Sequence, residues 1–414
     1  MVSKYLKITL IAVLVIGIVV PIFFLSFYNR SDESEIEIWY TYEGIDVIKE
    51  RVLEYENLNP RVKIILQEQP SSGWLDKFIS VAQTGESPDI FLAKGSWFGE
   101  LAGLGYILPL TPFLTPQKEA EFLPSAIDGL SYENELWGLP LWYDSILLFY
   151  NKGLFDQAGL SYPNSNWTDI DLIYAAVQLT DRSENQIYGL VWSTLSPYMW
   201  PSFQYGFDHG SLYQNGQIVV NDTASVNAME FIYDLKYFHR CVDYDDSSNS
   251  ATQAFIAHKG AMLIYGGWYT PTLDTLDINY GLEVLPIISS TNKRITPMVE
   301  IKGWGISKDA KNSSLCYEII SFLTAKETQE DLIQFEYKVP TLFELINSPS
   351  VADNTVIKTQ INQIEFSQYY PLDPIYNFYS DYMRAALQFI LYDHQDIQAA
   401  LDEAQAGINA NTRS

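Results

Sequence analysis

The segment GESPDIFLAKGSW, residues 85–97, predicts a short buried strand that ends in polar and aromatic residues. Residues 90–93 are all apolar, which is typical of a strand buried in a sheet. Asp89 opens this strand, where a carboxylate usually accepts hydrogen bonds from nearby backbone N–H groups, so we expect a structural role for it. The strand leads into the turn Lys94-Gly95-Ser96-Trp97, which places a large aromatic side chain at the strand exit.

Strand and helix patterns alternate around this segment. Alternating strands and helices indicate an α/β fold with a parallel sheet. Ligands of open α/β sheets bind at the carboxyl ends of the strands, so we expect Ser96 and Trp97 to face a cleft. The predicted strands are residues 35–41, 62–66 and 90–93, and the predicted helices are residues 46–57, 73–84 and 97–104.

A second α/β block follows, because the same alternation recurs after residue 146. The chain has 414 residues, which is too many for one compact core. Two blocks therefore predict two lobes with a cleft between them. The predicted elements are strands 146–150, 262–265, 282–285 and 304–307 and helices 168–179, 223–238, 313–324, 375–391 and 394–408.

The composition excludes several classes of partner. Lys and Arg number 25 against 51 Asp and Glu, and the resulting charge of −26 repels nucleic acid and anionic lipid. Aromatic residues make up 14% of the chain, which favours a surface that grips flat, partly apolar ligands. The four histidines show no ligand spacing, so we expect no metal site and no cofactor. Cys241 and Cys316 are the only cysteines, and whether they pair stays open.

Residues 8–27 form an uncharged and almost wholly apolar run that follows Lys4 and Lys7. The run is long enough to cross a bilayer, and the charges that flank it place the rest of the chain outside. We interpret residues 1–30 as a signal peptide or membrane anchor. An uncleaved anchor is favoured, because no A-x-A cleavage site is visible and the run is long for the apolar h-region of a signal peptide.

Six clusters along the chain combine aromatic rings with carboxylates or other polar groups at predicted strand ends or in loops. A sugar ring packs its C–H faces on flat aromatic rings, and its hydroxyls need fixed donors and acceptors. A buried carboxylate adds charge-assisted hydrogen bonds to hydroxyls. The clusters therefore predict a carbohydrate-binding site. Their candidate ligand-binding residues are Tyr40, Tyr42, Ser96, Trp97, Trp142, Asp144, Tyr198, Trp200, Trp268, Glu300 and Trp304.

A series of motifs occurs in the order and spacing of one known family. The motifs are NPRV (59–62), AQTGESPDI (82–90), WFGELA (97–102), GYILPL (105–110), LWGLP (136–140), LFYNK (148–152), LFDQAGL (154–160) and AFIAHKGAM (254–262), followed by Gly267-Trp268. Through them, residues 36–410 resemble the family 1 extracellular solute-binding proteins of ABC transporters, the maltose- and oligosaccharide-binding type.

The resemblance implies an α/β, two-lobed periplasmic-binding-protein fold of type II, with a ligand cleft between the lobes and an N-terminal hydrophobic helix before them. The lobes of that fold are joined by hinge strands and close on the ligand. The implied division is residues 36–143 plus 302–340 for the first lobe, residues 144–301 plus 341–414 for the second, and residues 142–146 and 299–303 for the hinge.

The resemblance also implies roles for individual residues. The chain carries neither Asp nor Arg beside its P-D-I segment, where the maltose binders have further charged groups, which argues against maltose itself. The implied ligand contacts are Ser96 and Trp97 after that segment, Asp144 as the polar group of the hinge, Tyr198 and Trp268 as stacking rings, and Tyr379 before the C-terminal helix.

The sequence therefore predicts a binding protein and not an enzyme. We expect the extracytoplasmic substrate-binding component of an ABC importer, a monomer that delivers a sugar or oligosaccharide to a membrane permease. It would act in the periplasm or at the outer face of the cell membrane, anchored by residues 8–27. Three alternatives stay open: a binder of a polyol, glycerol phosphate or polyamine, a sensor or adhesion ectodomain, and a glycoside hydrolase that uses Asp144 and Glu300.

Overall fold

The computed structural model describes residues 34–183, 186–208, 210–243, 247–373 and 375–411, which form two lobes around two main β-sheets. The apolar run at residues 8–27, predicted to be an anchor or signal peptide, lies outside the described residues. Within the described ranges, no helix is both long enough and apolar enough to cross a membrane.

The first lobe begins with the predicted alternation of strand and helix. Ile36 and Ile38 alternate with exposed or half-buried residues along the first strand, so one face of that strand enters the core. Val52 and Tyr55 lie on the buried face of the helix that follows. The elements are β1 (Ser34–Tyr40), α1 (Ile45–Leu58), β2 (Val62–Glu68), α2 (Trp74–Gln83), β3 (Ile90–Lys94), α3 (Gly95–Gly103), α4 (Pro116–Glu119), α5 (Pro124–Asp128), β4 (Ser131–Tyr132), β5 (Glu135–Leu136) and β6 (Leu139–Asp144).

The second lobe contains the middle of the chain. Its sheet has the order β12-β7-β11-β8, and Thr168 forms a capping box with Asp171 at the start of α7. The elements are β7 (Ile146–Asn151), α6 (Lys152–Ala158), α7 (Asp169–Leu179), β8 (Tyr188–Val191), α8 (Trp200–Gly206), β9 (Tyr213–Gln214), β10 (Gln217–Ile218), α9 (Thr223–Tyr237), α10 (Ser248–Ile256), β11 (Gly260–Gly266), α11 (Thr270–Thr275), β12 (Tyr280–Glu283), β13 (Ile287–Ile288) and β14 (Lys293–Arg294).

The last part of the chain contributes to both lobes. The helices predicted at residues 313–324 and 375–391 are confirmed, and the last helix begins three residues later than predicted. The elements are β15 (Met298–Ile306), α12 (Ser313–Leu323), α13 (Lys326–Glu336), β16 (Val339–Pro340), α14 (Phe343–Ile346), α15 (Pro349–Ala352), α16 (Thr355–Ile364), β17 (Gln368–Tyr369), α17 (Ile375–Leu391) and α18 (Ile397–Asn411).

The sheet of the first lobe is mixed, so the prediction of a parallel sheet is wrong in part. Its order is β16-β6-β15-β3-β1-β2, with β17 paired to β15 at one end. β1 pairs in parallel with both β2 and β3, as the local alternation predicts. β15 returns from the second lobe and inserts antiparallel between β3 and β6. The direction of such a returning strand depends on tertiary connections and not on the local pattern.

The chain crosses between the lobes at three places. β6 ends at Asp144 in the first sheet and β7 begins at Ile146 in the second, so Ser145 joins the two lobes. β15 starts beside the second core at Met298 and runs into the first sheet. The third crossing links α16 to β17. The residues predicted as hinge strands, 142–146 and 299–303, lie on the first two crossings.

Each lobe has its own hydrophobic core. Leu342, Val351 and Ile357 pack in the first core, although the implied division assigned residues 341–414 to the second lobe. Cys316 lies in the first core and Cys241 in the second, and both are buried free thiols, so no disulfide joins them. Asp89 accepts hydrogen bonds from the backbone N–H groups of Glu37 and Lys311 at 2.9 Å each, which confirms its structural role.

Candidate functional site

The register of β15 places ionisable side chains on one face of the first sheet, beside the lobe crossings. Glu300 and Lys302 are two residues apart and therefore point to the same face of the strand. Glu300 lies opposite Asp144 on β6, and Lys302 lies opposite Lys94 on β3. Glu43, in the turn after β1, joins this face through an ion pair with Lys302.

A buried ion network connects this face to the segment before β16. Lys338 Nζ lies 3.0 Å from Asp144 Oδ1 and 3.6 Å from Glu43 Oε2, and Lys302 Nζ lies 3.3 Å from the same Glu43 oxygen. Trp142 Nε1 donates a hydrogen bond of 3.0 Å to Asp144 Oδ2. Two lysines thus balance two carboxylates, and the network carries no net charge.

The network fixes the ionisation of its members. Burial alone raises the pKa of Glu43, but Lys302 and Lys338 overcome that effect and lower the pKa of this carboxyl to about 2. Burial lowers the pKa of Lys338, whereas Asp144 and Glu43 raise it further, so the net shift is upward. Both groups are therefore charged at neutral pH.

Glu300 and Lys94 lie outside this network. Glu300 accepts hydrogen bonds from the Ser96 backbone N–H at 3.2 Å and from Ser96 Oγ at 3.1 Å, which the N-terminus of α3 positions. Burial raises the pKa of Glu300 despite these bonds and the nearby lysines. Burial, helped by repulsion from Lys302, lowers the pKa of Lys94, whose ammonium sits 5.4 Å from the centroid of the Trp97 ring.

The second lobe supplies an aromatic wall opposite these charges. Tyr198 stacks on Tyr370 with a centroid separation of 5.5 Å and an interplanar angle of 5°, and its ring lies 6.4 Å from that of Trp268. Both glycines of the double-glycine motif leave room for side chains, because a Cβ on Gly266 would meet Trp268 ring carbons at 2.1 Å and a Cβ on Gly267 would meet Gln360 Oε1 at 2.1 Å. The Trp268 ring therefore lies flat against the strand end.

A cavity of about 230 Å³ lies between the charged face and the aromatic wall. Residues from both lobes and from their crossings line it, which is the usual position of a ligand site in a two-lobed α/β protein. Among the residues that the structure describes, Tyr198 Oη and Glu43 Oε2 are buried there without a hydrogen-bond partner, although Glu43 keeps its ion pairs. The lining residues are Glu43, Lys94, Asp144, Tyr198, Trp268, Glu300 and Lys302.

Four of the predicted site residues line this cavity, namely Asp144, Tyr198, Trp268 and Glu300. Four others lie around it. Ser96 donates hydrogen bonds to Glu300, and Trp142 donates one to Asp144. Trp97 lies beside Lys94 and stacks on Trp74. Tyr42 directly precedes the cavity residue Glu43 and is 57% exposed, so it lies beside the cavity but does not line it.

Four other predicted residues lie in the hydrophobic cores and not at the cavity. Tyr40 and Trp304 belong to the first core, and Trp200 and Tyr379 to the second. Their buried rings are accounted for by packing with neighbouring side chains. Tyr379 still contributes indirectly, because its hydroxyl donates a 2.8 Å hydrogen bond to the backbone carbonyl of Pro197, next to Tyr198.

Sequence reasoning missed the four charged residues Glu43, Lys94, Lys302 and Lys338 as site residues. The argument against charged groups beside the P-D-I segment overlooked Lys94, which ends that strand and lines the cavity. Glu43 and Lys302 belong to the aromatic clusters at residues 39–43 and 300–304. Glu43 follows the end of β1, which was a usable signal, whereas Lys302 lies in the middle of β15. Lys338 had no local signal, because it reaches Asp144 from 194 residues away in the sequence.

The fold and the interlobe site define a class of two-lobed binding protein, and comparison identifies its family. The chain belongs to the bacterial extracellular solute-binding proteins, whose family model matches residues 43–330. This confirms the resemblance that the sequence motifs indicated.

Individual relatives are distant but extensive. The chain is 24% identical over 386 residues to the galactooligosaccharide-binding protein of Bacillus subtilis (strain 168), covering 91% of this chain and 89% of the relative. It is 21% identical over 391 residues to the maltotriose-binding protein of Pyrococcus abyssi (strain GE5 / Orsay), covering 91% and 82%. The solved maltose/maltodextrin-binding domain MalE from Bdellovibrio bacteriovorus, bound to maltotriose, matches with a TM-score of 0.83 at 22% identity and covers 92% of this chain and 100% of that one.

Proposed function

We propose that this chain is the substrate-binding component of an ABC importer and binds a sugar or oligosaccharide in its interlobe cavity. The observation that carries the proposal is the pairing of an aromatic wall from one lobe with a charged, hydrogen-bonding face from the other. Trp268 offers a flat apolar surface for a sugar ring, while Asp144 and Glu300 offer carboxylate oxygens for its hydroxyls.

The size of the cavity bears on the ligand. Its volume of about 230 Å³ is below the range of roughly 300–1,000 Å³ typical of drug-sized ligands. One sugar ring fits such a volume, and a longer chain must extend beyond it toward solvent. The relatives named for galactooligosaccharide and maltotriose make these two series the first sugars to test.

The proposed mechanism is closure of the two lobes around the sugar. Ser145 and β15 carry the chain between lobes directly beneath the cavity, so rotation there changes the distance between Glu300 and Trp268. A sugar that contacts both lobes binds the closed form more tightly and shifts the balance toward it. We propose that a permease recognises this closed form and that residues 8–27 keep the monomer at the outer membrane face.

The cores suggest a revised division of the lobes for this mechanism. We place residues 34–144 and 299–364 in the first lobe and residues 146–298 and 368–411 in the second, because the packing of Ile357 with the first core supports that boundary. Within the described residues, this division leaves the three crossings as the chain connections about which the lobes rotate.

The test is isothermal titration of residues 32–414 with galactotriose and maltotriose, supported by thermal shift. Sugar at about 100-fold over Kd stabilises the folded protein by roughly 2.7 kcal/mol, which is visible as a rise in Tm. Trp268→Ala is expected to lose at least about tenfold in affinity, whereas the exposed Tyr174→Ala serves as a surface control. Binding of spermidine or glycerol phosphate without any sugar, or new reducing ends during incubation, would overturn the proposal.

A further inference from the structure

The register of β15 places two like-charged pairs directly opposite each other. Lys94 faces Lys302 across the β3–β15 ladder, and Glu300 faces Asp144 across the β15–β6 ladder. Directly opposed side chains on one face of a sheet have Cβ atoms about 4.5–5.5 Å apart, and like charges at that distance destabilise the sheet. Two such pairs beside one cavity require a reason.

Half of this repulsion is relieved within the protein. Lys302 is paired with Glu43, and Asp144 is paired with Lys338. The remaining member of each pair has no such partner. In the described part of the chain, Lys94 forms no ion pair and its ammonium lies over the Trp97 ring. Glu300 accepts hydrogen bonds only from Ser96.

Lys94 and Glu300 both line the cavity, and each influences the charge of the other without an ion pair between them. Lys94 can only donate hydrogen bonds, and an ionised Glu300 can only accept them. A hydroxyl is the group that serves both, since it accepts from an ammonium and donates to a carboxylate. A ligand carboxylate at this position is repelled by Glu300 and has no hydrogen to donate to it, and a ligand ammonium is repelled by Lys94 and has no lone pair to accept from it.

We propose that Lys94 and Glu300 form a two-sided clamp that holds one hydroxyl of the bound sugar and restricts the site to uncharged sugar units. The clamp rests on the proposed sugar-binding function and deepens it by naming the class of sugar. Lys94 disfavours amino sugars, and Glu300 disfavours uronic acids.

The clamp predicts a reciprocal change of specificity. Lys94→Met removes a hydrogen-bond donor, so the affinity for an uncharged hexose falls about tenfold or more. It also removes the repulsion of an ammonium, so the affinity for galactosamine rises relative to that for galactose. Glu300→Gln keeps an acceptor for Ser96 but removes the half that repels a carboxylate, so galacturonate gains relative to galactose. Replacing a residue that only supports the fold would weaken the binding of all three sugars to the same extent.

The experiment is titration of the wild type and both variants with galactose, galactosamine and galacturonate, and with the matching glucose series. Lys308→Met, at an exposed position, is the matched control. If the wild type binds the uncharged sugars and the variants keep its order of preference, the clamp is wrong and the proposed function stands. If the wild type binds none of galactotriose, maltotriose or the hexoses, the proposed function itself fails.

Discussion

Lys338→Met tests how strongly the buried ion network holds the first lobe together. Lys338 Nζ lies 3.0 Å from Asp144 Oδ1 and 3.6 Å from Glu43 Oε2, and 4.8 Å from the centroid of the Trp142 ring. The Lys338 and Asp144 side chains are each 3% exposed. Removing one partner leaves Asp144 as an uncompensated buried charge, which costs about 3–5 kcal/mol of unfolding free energy.

The assay is urea or thermal denaturation of the free protein at pH 7, compared with Lys326→Met. Lys326 forms a salt bridge of 3.3 Å with Glu344, but those side chains are 45% and 57% exposed, so its loss costs at most about 1 kcal/mol. The double variant Lys338→Met/Asp144→Asn should recover much of the lost stability, because no uncompensated buried charge remains. Equal, small losses in Lys338→Met and Lys326→Met would refute the reasoning.

Gly266→Ala should weaken sugar binding about tenfold in titration, because its Cβ would meet the Trp268 ring at 2.1 Å and displace it; unchanged affinity would contradict this. Burial raises the pKa of Glu43, but the nearby lysines lower it to about 2. The ionised carboxylate therefore stabilises the folded protein above the ordinary pKa of 4.5, and this stabilisation is lost as the pH falls toward 2. Unfolding free energy should therefore fall less steeply for Glu43→Gln than for the wild type between about pH 5 and pH 2, and parallel curves would count against the network. Cys241 and Cys316 should react with a thiol reagent only on unfolding, because both are buried and burial raises the pKa of each thiol to about 12. A Tm that falls when reductant is added would instead indicate a disulfide.

The sequence predicted local structure well because its signals are local. The helix predicted at residues 46–57 is found as Ile45–Leu58, and the helix predicted at residues 313–324 is found as Ser313–Leu323. The direction of β15 was missed, because it follows from where the chain returns between distant strands and not from its own pattern.

The sequence alone does not separate aromatic residues of the core from those of the cavity. Trp268 and Trp304 both follow glycine in aromatic clusters, yet only Trp268 lines the cavity while Trp304 is fully buried in the first core. Large aromatic side chains pack in cores as readily as they line ligand sites, so composition cannot separate these cases. Lys338 was missed for a different reason, because its partner Asp144 lies on a strand 194 residues earlier.

The third lobe crossing, which returns the chain to the second lobe, also determines when the protein can bind its ligand during synthesis. Ile408 on α18 is fully buried in the second core, together with residues from β7 and β11 that precede it by more than a hundred positions. The lobe that carries Trp268 therefore cannot finish its core until α18 has emerged. A chain that is still being synthesised therefore does not bind sugar. Deletion of α18 alone should abolish binding, although this helix contributes no residue to the cavity.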